Sequence, residues 1–283
     1  MTQGRCLCGT VRYEVDGPFT NMLHCHCSMC RKHHGAPFAT WAAAPLAGFR
    51  FTAGESSVVR YDSSAAFHRS FCGICGSVVP EGNAAAGLAI CPAGNLQGDL
   101  GIEPQLHMFV GSKARWYAIT DDLPRFDEYP PQFGMAATAR PPVLVTGDLA
   151  QGSCLCGGVA YEISGPPLRM YYCHCSRCRM GRSAAHASNV FYGADGFRWV
   201  RGGELVQDFK LPGAQFFGTA FCRRCGSAVP RVSAERGIVN VPAGSLDTDP
   251  GIDPAAHIFV DSKAPWDRIT DSIPQFAEMP PRR

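Results

Sequence analysis

The chain contains the stretch FCGICGS at residues 71–77 and a near copy of it, FCRRCGS, at residues 221–227. Each stretch holds a C-x-x-C pair followed by glycine, the form of a zinc knuckle in which glycine lets the backbone turn toward the thiolates. A C-x-C pair precedes each stretch, at residues 6–8 and 154–156. One pair of each kind supplies four thiols, the ligand set of a closed structural zinc site.

A further cysteine cluster lies between these pairs, CHCSMC at residues 25–30 and CHCSRC at residues 173–178. Fourteen of the 15 cysteines thus form two sets of seven in the same order. The offset between the sets is 148 positions up to Cys178 and 150 from Cys222 onward, so the chain is a tandem duplication with a two-residue insertion between those cysteines. The cysteines predicted to bind metal are Cys6, Cys8, Cys25, Cys27, Cys30, Cys72 and Cys75, and Cys154, Cys156, Cys173, Cys175, Cys178, Cys222 and Cys225.

The central clusters supply three thiolates each, one ligand short of a closed site. Three protein ligands and one open position are typical of a catalytic zinc, and a sulfur-rich zinc suits capture of an incoming thiol. The alternative is a second structural site completed by His26 or His24. Neighbours in extended backbone point to opposite sides, which argues against His26 joining Cys25 and Cys27 on one metal. Cys91 aligns with Val241 and is therefore predicted to pack in a core. His107 in the first copy corresponds to His257 in the second copy. We predict that both are structural histidines or, alternatively, that they contact a metal ligand or a substrate.

Composition and local pattern predict a mainly β protein of two small antiparallel domains stapled by metal. We expect a first domain at residues 1–131, a linker at 132–148 and a second domain at 149–283. The net charge of +2 with 18% charged residues gives no electrostatic reason to expect nucleic acid or an anionic membrane as partner. No signal peptide or membrane span is evident, so a cytoplasmic location is expected, where reduced thiols favour metal over disulfides.

The cysteine clusters, together with the run CRKHHGAPF at residues 30–38, resemble the glutathione-dependent formaldehyde-activating enzyme family, which is also named for centromere protein V. The resemblance covers both copies and implies an Mss4-like fold of small curled sheets. It implies a structural zinc on the outer pairs and a second zinc on the central cluster, two per domain and about four per chain. It also implies a carbon–sulfur lyase activity that joins formaldehyde to glutathione as S-hydroxymethylglutathione. The second copy lacks the lysine and the Gly-Ala-Pro that follow the first central cluster, which makes it the less expected site of activity.

The predicted mechanism is attack of a thiolate, from glutathione or another small thiol, on a small aldehyde at the central zinc. Cys25, Cys27 and Cys30 would form that centre, and His26 or a bound water would donate the proton to the new alkoxide. Arg31 and Lys32 would hold the carboxylates of the tripeptide, or else form a solvated surface pair.

Two other functions fit the same cysteines. One is a non-catalytic binding module in which both sites have four protein ligands. The other is metal handling or thiol redox sensing, in which exposed zinc-thiolates release metal on oxidation; iron in place of zinc is formally possible. The duplication further predicts a monomer whose two domains pack as a pseudo-dimer.

Overall fold

The structure is a computed structural model, and it describes residues 1–64, 67–136 and 149–281. Two halves repeat one mainly β architecture, as the sequence predicted. The strands and the helix of the first half are β1 (Thr2–Arg5), β2 (Arg12–Val15), β3 (Asn21–Cys25), α1 (Ser28–His34), β4 (Ala39–Pro45), β5 (Phe49–Ala53), β6 (Val58–Asp62), β7 (His68–Cys72), β8 (Glu81–Asn83), β9 (Leu88–Pro92), β10 (His107–Met108) and β11 (Arg125–Phe126).

The second half follows the same order of elements. They are β12 (Ala150–Ser153), β13 (Ala160–Ile163), β14 (Arg169–Cys173), α2 (Ser176–Arg182), β15 (Ala187–Gly193), β16 (Phe197–Arg201), β17 (Val206–Lys210), β18 (Gly218–Cys222), β19 (Arg231–Ser233), β20 (Ile238–Pro242), β21 (Ala256–Ile258) and β22 (Gln275–Phe276). Short 3-10 helices join them at Leu46–Gly48, Glu55–Ser57, Ala93–Asn95, Val110–Ser112, Pro131–Phe133, Ala194–Gly196, Gly203–Leu205, Ala234–Arg236, Ala243–Ser245 and Val260–Ser262.

Each half builds three sheets. In the first half they are a three-stranded sheet in the order β1-β2-β5, a six-stranded sheet in the order β11-β10-β3-β4-β9-β8, and the hairpin β6-β7. The second half has the matching sheets β12-β13-β16, β19-β20-β15-β14-β21-β22 and β17-β18. Most pairs are antiparallel, but β10 runs parallel to both β3 and β11, and β21 runs parallel to β14 and β22, so the large sheets are mixed.

The two-residue insertion lies in the loop of a hairpin. Five residues, 63–67, connect β6 to β7, whereas seven residues, 211–217, connect β17 to β18. The other strands and the helix of each half correspond at a constant sequence offset on each side of this loop, except that β21 begins one residue earlier than β10. The predicted domain boundaries and the linker at 132–148 stay predictions, and residues 137–148 of that linker lie outside the described residues.

The two halves pack against each other through equivalent residues. The hydroxyl oxygens of Thr120 and Thr270 are 2.5 Å apart, and the rings of Phe71 and Phe221 have centroids 6.1 Å apart. Equivalent residues meet in this way across a two-fold axis. The knuckle glycines lie beside this contact, because a Cβ at Gly76 would come within 2.5 Å of Phe221 and one at Gly226 within 2.5 Å of Phe71.

Candidate metal centres and thiol site

The outer cysteine pairs of each half converge into one group of four thiols. In the first half, Cys6, Cys8, Cys72 and Cys75 place their sulfurs within 4.8 Å of one another; in the second half, Cys154, Cys156, Cys222 and Cys225 do the same. The knuckle turns as expected after its second cysteine, since Gly76 and Gly226 have φ of 75° and 71°. Gly73 has no positive φ, which explains why Arg223 occupies its place in the second half.

The spacing of these sulfurs fits a tetrahedral metal ion. Cys6 Sγ lies 3.4 Å from Cys8 Sγ, and Cys8 Sγ lies 3.8 Å from Cys72 Sγ. A zinc–sulfur bond of about 2.3 Å gives a sulfur–sulfur edge of about 3.8 Å in a tetrahedron, whereas a disulfide requires about 2 Å. All 15 cysteines are unbridged. The four sulfurs of each outer group can therefore hold a metal ion, and the distances between these sulfurs are too long for disulfide bonds.

Backbone and hydroxyl groups surround the outer sulfurs. The amide of Val11 donates to Cys6 Sγ at 3.3 Å, and the amide of Val159 donates to Cys154 Sγ at 3.2 Å. Ser77 Oγ lies 3.4 Å from Cys75 Sγ and accepts from the amide of Leu7 at 3.0 Å. The two backbone amides stabilise a thiolate relative to a thiol, which suits metal ligation, whereas the hydroxyl of Ser77 donates to the carbonyl of Met180 at 2.9 Å.

The central cluster of each half forms where a strand meets a helix. Strand β3 ends at Cys25, the chain turns, and Cys27 caps α1 by accepting the amide of Cys30 at 3.3 Å. In the second half, β14 ends at Cys173 and Cys175 caps α2 in the same way, with the amide of Cys178 at 3.4 Å. The chain thereby brings three sulfurs of each half within 4.8 Å of one another.

Neither central group gains a fourth ligand from a nearby histidine. Among the described residues, the possible ligand atoms that lie within 4.8 Å of one another are the three sulfurs of each central group, with no imidazole or carboxylate beside them. His24 points its Nδ1 at Thr40 Oγ1, 2.9 Å away, on the side of β3 away from Cys25. His26 Nε2 lies 2.8 Å from His107 Nδ1. The observed geometry thus argues for a three-sulfur site with an open position.

His26 belongs to a buried chain of polar groups. His107 is hydrogen-bonded both to His26 and to the carboxylate of Asp121, and its Nε2 lies 3.0 Å from Asp121 Oδ2. Burial lowers the pKa of His26 to about 2, so it is neutral at physiological pH. The second half repeats the chain from His174 through His257 to Asp271. These contacts fit the structural role predicted for His107 and His257, and proton donation by His26 stays a prediction.

The two basic residues after the first central cluster face the other half of the chain. Lys32 Nζ forms an ion pair with Asp247 at 2.6 Å and also contacts the carbonyl and hydroxyl of Ser153 at 2.8 Å. Arg31 has a buried Nε without a partner, and burial lowers the pKa of its guanidinium. The charge of Lys32 is matched inside the protein, and glutathione binding by Arg31 and Lys32 stays a prediction.

The prediction that Cys91 packs in a core is confirmed. Its side chain is fully buried in the cluster formed by β4, β9 and their neighbours. Burial raises the pKa of its thiol to about 12, so Cys91 stays protonated and inert.

The surroundings of the two central clusters differ strongly. In the first half Cys25, Cys27 and Cys30 are buried, with Met29 and Trp41 packed against them, and Arg69 Nη1 lies 3.7 Å from Cys30 Sγ. In the second half the residues Cys175 and Cys178 are partly exposed, and both line a cavity of about 450 Å³.

Arginines line much of that cavity. They are Arg169, Arg177, Arg182, Arg231 and Arg236. The sequence did not predict a role for these arginines or for Arg69, because none of them recurs at the equivalent position of the other copy. The sequence signal for these arginines is that the two copies differ at their positions. The equivalent positions of the first half carry Asn21, Met29, His34, Glu81 and Ala86.

Phe109 and Phe259 are a second feature that sequence reasoning missed. Both adopt the left-handed backbone region, with φ of 60° and 58°, where a bulky side chain is strained. They pack beside the first and second central clusters respectively. Strain of this kind is often concentrated at functional sites, and the repeated H-x-F-V motif is the sequence signal that marks both residues.

The burial of His186 is expected to make the stability of the protein depend on pH. It is buried between Tyr172 and His174, its Nδ1 has no partner, and burial lowers its pKa to about 3. The unfolded chain has the ordinary histidine pKa of about 6.5. Between these two pKa values the unfolded state binds a proton that the folded state excludes, so stability is complete above pH ~6.5 and falls as the pH drops below it.

We therefore expect His186→Phe to reduce this acid sensitivity. Phenylalanine is the residue at the equivalent position 38 of the first half. Between pH ~7.5 and pH ~5.5 the variant should lose about 1.4 kcal/mol less free energy of unfolding than the wild type, as measured by denaturant unfolding. Equal losses in the two proteins would show that His186 is not a source of the pH dependence.

The fold and its four cysteine groups define a duplicated β protein with thiol groups that could hold metal ions. The family model "Glutathione-dependent formaldehyde-activating enzyme" matches residues 1–112 and again 149–262. The chain therefore belongs to this family, with one family unit in each half.

Two individual proteins are similar to the chain. A "Putative glutathione-dependent formaldehyde-activating enzyme" from Halomonas elongata is 30% identical over 131 residues, which cover 43% of this chain and 81% of that protein. A solved structure of a Rhodobacter sphaeroides protein is 26% identical and covers 34% of this chain and 89% of its own, with a TM-score of 0.30, too low to define the fold. Among the described residues, no helix is long and apolar enough to cross a membrane.

Proposed function

We propose that the chain is a zinc-dependent enzyme that adds a thiol, glutathione in the simplest case, to formaldehyde or another small aldehyde. Its reaction class would be that of a carbon–sulfur lyase acting in the direction of addition. The observation that carries the proposal is the group of three sulfurs in each half, which has no fourth protein ligand among the residues that the structure describes. Family membership supports the choice of glutathione and formaldehyde.

The donor sets fit zinc at all four groups, so we propose two ions per half and about four per chain. Cys6, Cys8, Cys72 and Cys75, with their counterparts, would hold the structural ions. The sulfurs at 25, 27 and 30 and at 173, 175 and 178 would hold the others. When bound there, zinc would supply a Lewis acid that lowers the pKa of an entering thiol. Elemental analysis of the purified protein tests this count, since two ions per chain would contradict it.

The reaction itself is an addition in which nothing is oxidised. The thiol loses its proton to solvent, its sulfur forms a bond to the carbonyl carbon, and the carbonyl π electrons move to oxygen. The resulting alkoxide takes a proton and becomes the hydroxymethyl group of the product. A proton from solvent would suffice for this step, because the residues Cys175 and Cys178 are partly exposed and line an open cavity. His26 stays the alternative donor in the first half.

A binding module without chemistry would require four protein ligands at every site. The three-sulfur groups weigh against that reading. Intimate packing of the halves supports the further proposal that the intact chain is a monomer arranged as a pseudo-dimer. A cytoplasmic location stays a prediction.

Exchange NMR tests the proposed activity. Zinc-loaded protein is mixed with glutathione and formaldehyde, and the rate of exchange between free formaldehyde and S-hydroxymethylglutathione is measured. We expect the protein to increase this rate well above the spontaneous rate, in proportion to its concentration. A rate equal to the spontaneous one would reject the proposed function.

A further inference from the structure

We propose that the second half alone carries the thiol-binding site, that the arginine-lined cavity binds the carboxylates of an anionic thiol, and that the central cluster of the first half is closed to substrate. This inference rests on the proposed function and specifies which half performs it. It reverses the expectation from sequence, which favoured the first half because that half keeps the fuller family motif.

Access to the sulfurs differs between the halves. In the first half, Met29 and Trp41 pack against the cluster and the guanidinium of Arg69 lies over Cys30. The second half has Arg177, Asn189 and Thr219 at these three positions, and Thr219 turns away to donate to the carbonyl of Cys75 at 3.0 Å. Replacing two apolar side chains and one covering arginine with these residues leaves the second cluster beside open space.

The hairpin insertion forms part of the cavity wall. Gln215, Phe216 and Phe217 come from the longer β17–β18 loop and line the cavity. Arg177 lies over the ring of Phe217 at 5.5 Å, and Arg236 lies over the ring of Phe216 at 5.3 Å. Stacking engages the face of a guanidinium and leaves its in-plane N–H donors pointing outward. Those donors match the two oxygens of a carboxylate.

Not every arginine of the cavity has its charge available. Arg231 is paired with Asp208, with Nε to Oδ1 at 2.6 Å. Arg169 lies over Phe191 at 5.1 Å and lines the cavity beside Tyr171. Arg177, Arg236 and Arg169 have no carboxylate partner among the ion pairs of the described residues. Among the described residues, these three arginines of the cavity thus lack a carboxylate counter-ion, and the negative groups beside the cavity are the thiolates of Cys175 and Cys178.

Buried polar atoms in the cavity wall lack partners. Asn189 is 7% exposed and Arg182 is 8% exposed, and Asn189 Oδ1 and Arg182 Nη1 form no hydrogen bond within the described part of the chain. A buried polar group without a partner is costly, which is why such groups are typical of sites that a ligand completes. The volume of about 450 Å³ falls within the range of about 300–1,000 Å³ common for small-molecule pockets.

The chemistry of these groups selects the ligand class. A free sulfhydryl would enter beside Cys175 and Cys178, and carboxylates on the same molecule would reach the arginines. Glutathione has both features, whereas its diethyl ester keeps the sulfhydryl and loses both carboxylate charges. The cavity is therefore expected to distinguish these two compounds.

Isothermal titration of the zinc-loaded full-length protein with glutathione tests the inference. The variants are Arg177→Met, Arg236→Ala and Asn189→Trp, each of which installs the residue of the first half. Arg198→Ala is the matched control, because Arg198 is an exposed arginine of β16 outside the cavity. Zinc content and circular dichroism of each variant confirm that folding and metal binding are intact. Residue 236 is far in sequence from any cysteine ligand, so Arg236→Ala leaves the sequence around the metal ligands unchanged.

We expect one glutathione per chain, about tenfold weaker binding in each arginine variant, and no measurable binding in Asn189→Trp. The control should bind within about twofold of the wild type. The diethyl ester should bind the wild type and Arg177→Met equally weakly. Glutathione binding to the wild type that none of the three variants weakens would overturn this inference and leave the proposed function standing. No glutathione binding to the wild type would instead reject the proposed function.

Discussion

Replacing Cys72 with serine is expected to release one zinc ion from the chain and to unfold the first half. Cys72 lies in a small core with Cys6, Cys75 and a few aliphatic side chains, so little apolar burial is available to stabilise this region without the metal. A structural zinc contributes about 10–16 kcal/mol in small peptides, and a whole domain is stable by about 5–15 kcal/mol. Losing the ion therefore removes as much free energy as the domain has.

Thermal unfolding and metal analysis measure this effect. The variant should lose the cooperative transition of the first half and retain fewer zinc ions than the wild type. Cys91→Val is the matched control, since it also removes a buried cysteine and valine is the residue at the equivalent position 241. The control should keep its zinc and lose less than about 1.5 kcal/mol. A Cys72→Ser protein that melts like the control would show that the outer group is not a structural metal site.

Replacing Cys30 and Cys178 together with serine is expected to abolish catalysis while the protein stays folded. Each substitution removes one of the three sulfurs that we propose to hold the central ion, whereas the four-sulfur groups remain complete. The rate in exchange NMR should fall about 100-fold or more, toward the spontaneous rate. The thermal midpoint should shift by only a few degrees.

The single variants separate the two halves. Cys178→Ser should account for nearly all of the loss, and Cys30→Ser should keep most of the activity, if the second half carries the reaction. A double variant that unfolds would favour the binding-module reading, in which the central ions are structural. A double variant that keeps full activity would place the chemistry elsewhere in the molecule.

Much of the metal chemistry could be predicted from sequence because cysteine spacing is a local signal. The C-x-C and C-x-x-C pairs form their four-thiol groups as expected, and the duplication of the fold follows from the repeated order of the clusters.

The features of the sites that could not be predicted depend on tertiary contacts, which a local sequence pattern does not contain. Arg69 is far from Cys30 in sequence and reaches it only because β7 lies beside the first central cluster. Lys32 follows that cluster directly, yet its partner Asp247 comes from the other half of the chain. The residues that the two copies share therefore predicted the cysteine ligands of both sites. The residues that differ between the copies determine which molecules can reach each site.

Cobalt substitution tests the central claim most directly, because sulfur-to-cobalt charge-transfer absorption reports the number of sulfurs on the metal. Glutathione is titrated into the cobalt-loaded protein and into the Cys30→Ser/Cys178→Ser variant. A saturable increase in this absorption in the wild type, absent from the variant, is the predicted result, since an entering sulfur would complete a three-sulfur site. An absorption that stays constant in the wild type would mean that every ion already has its full set of ligands, and would contradict an open thiol site.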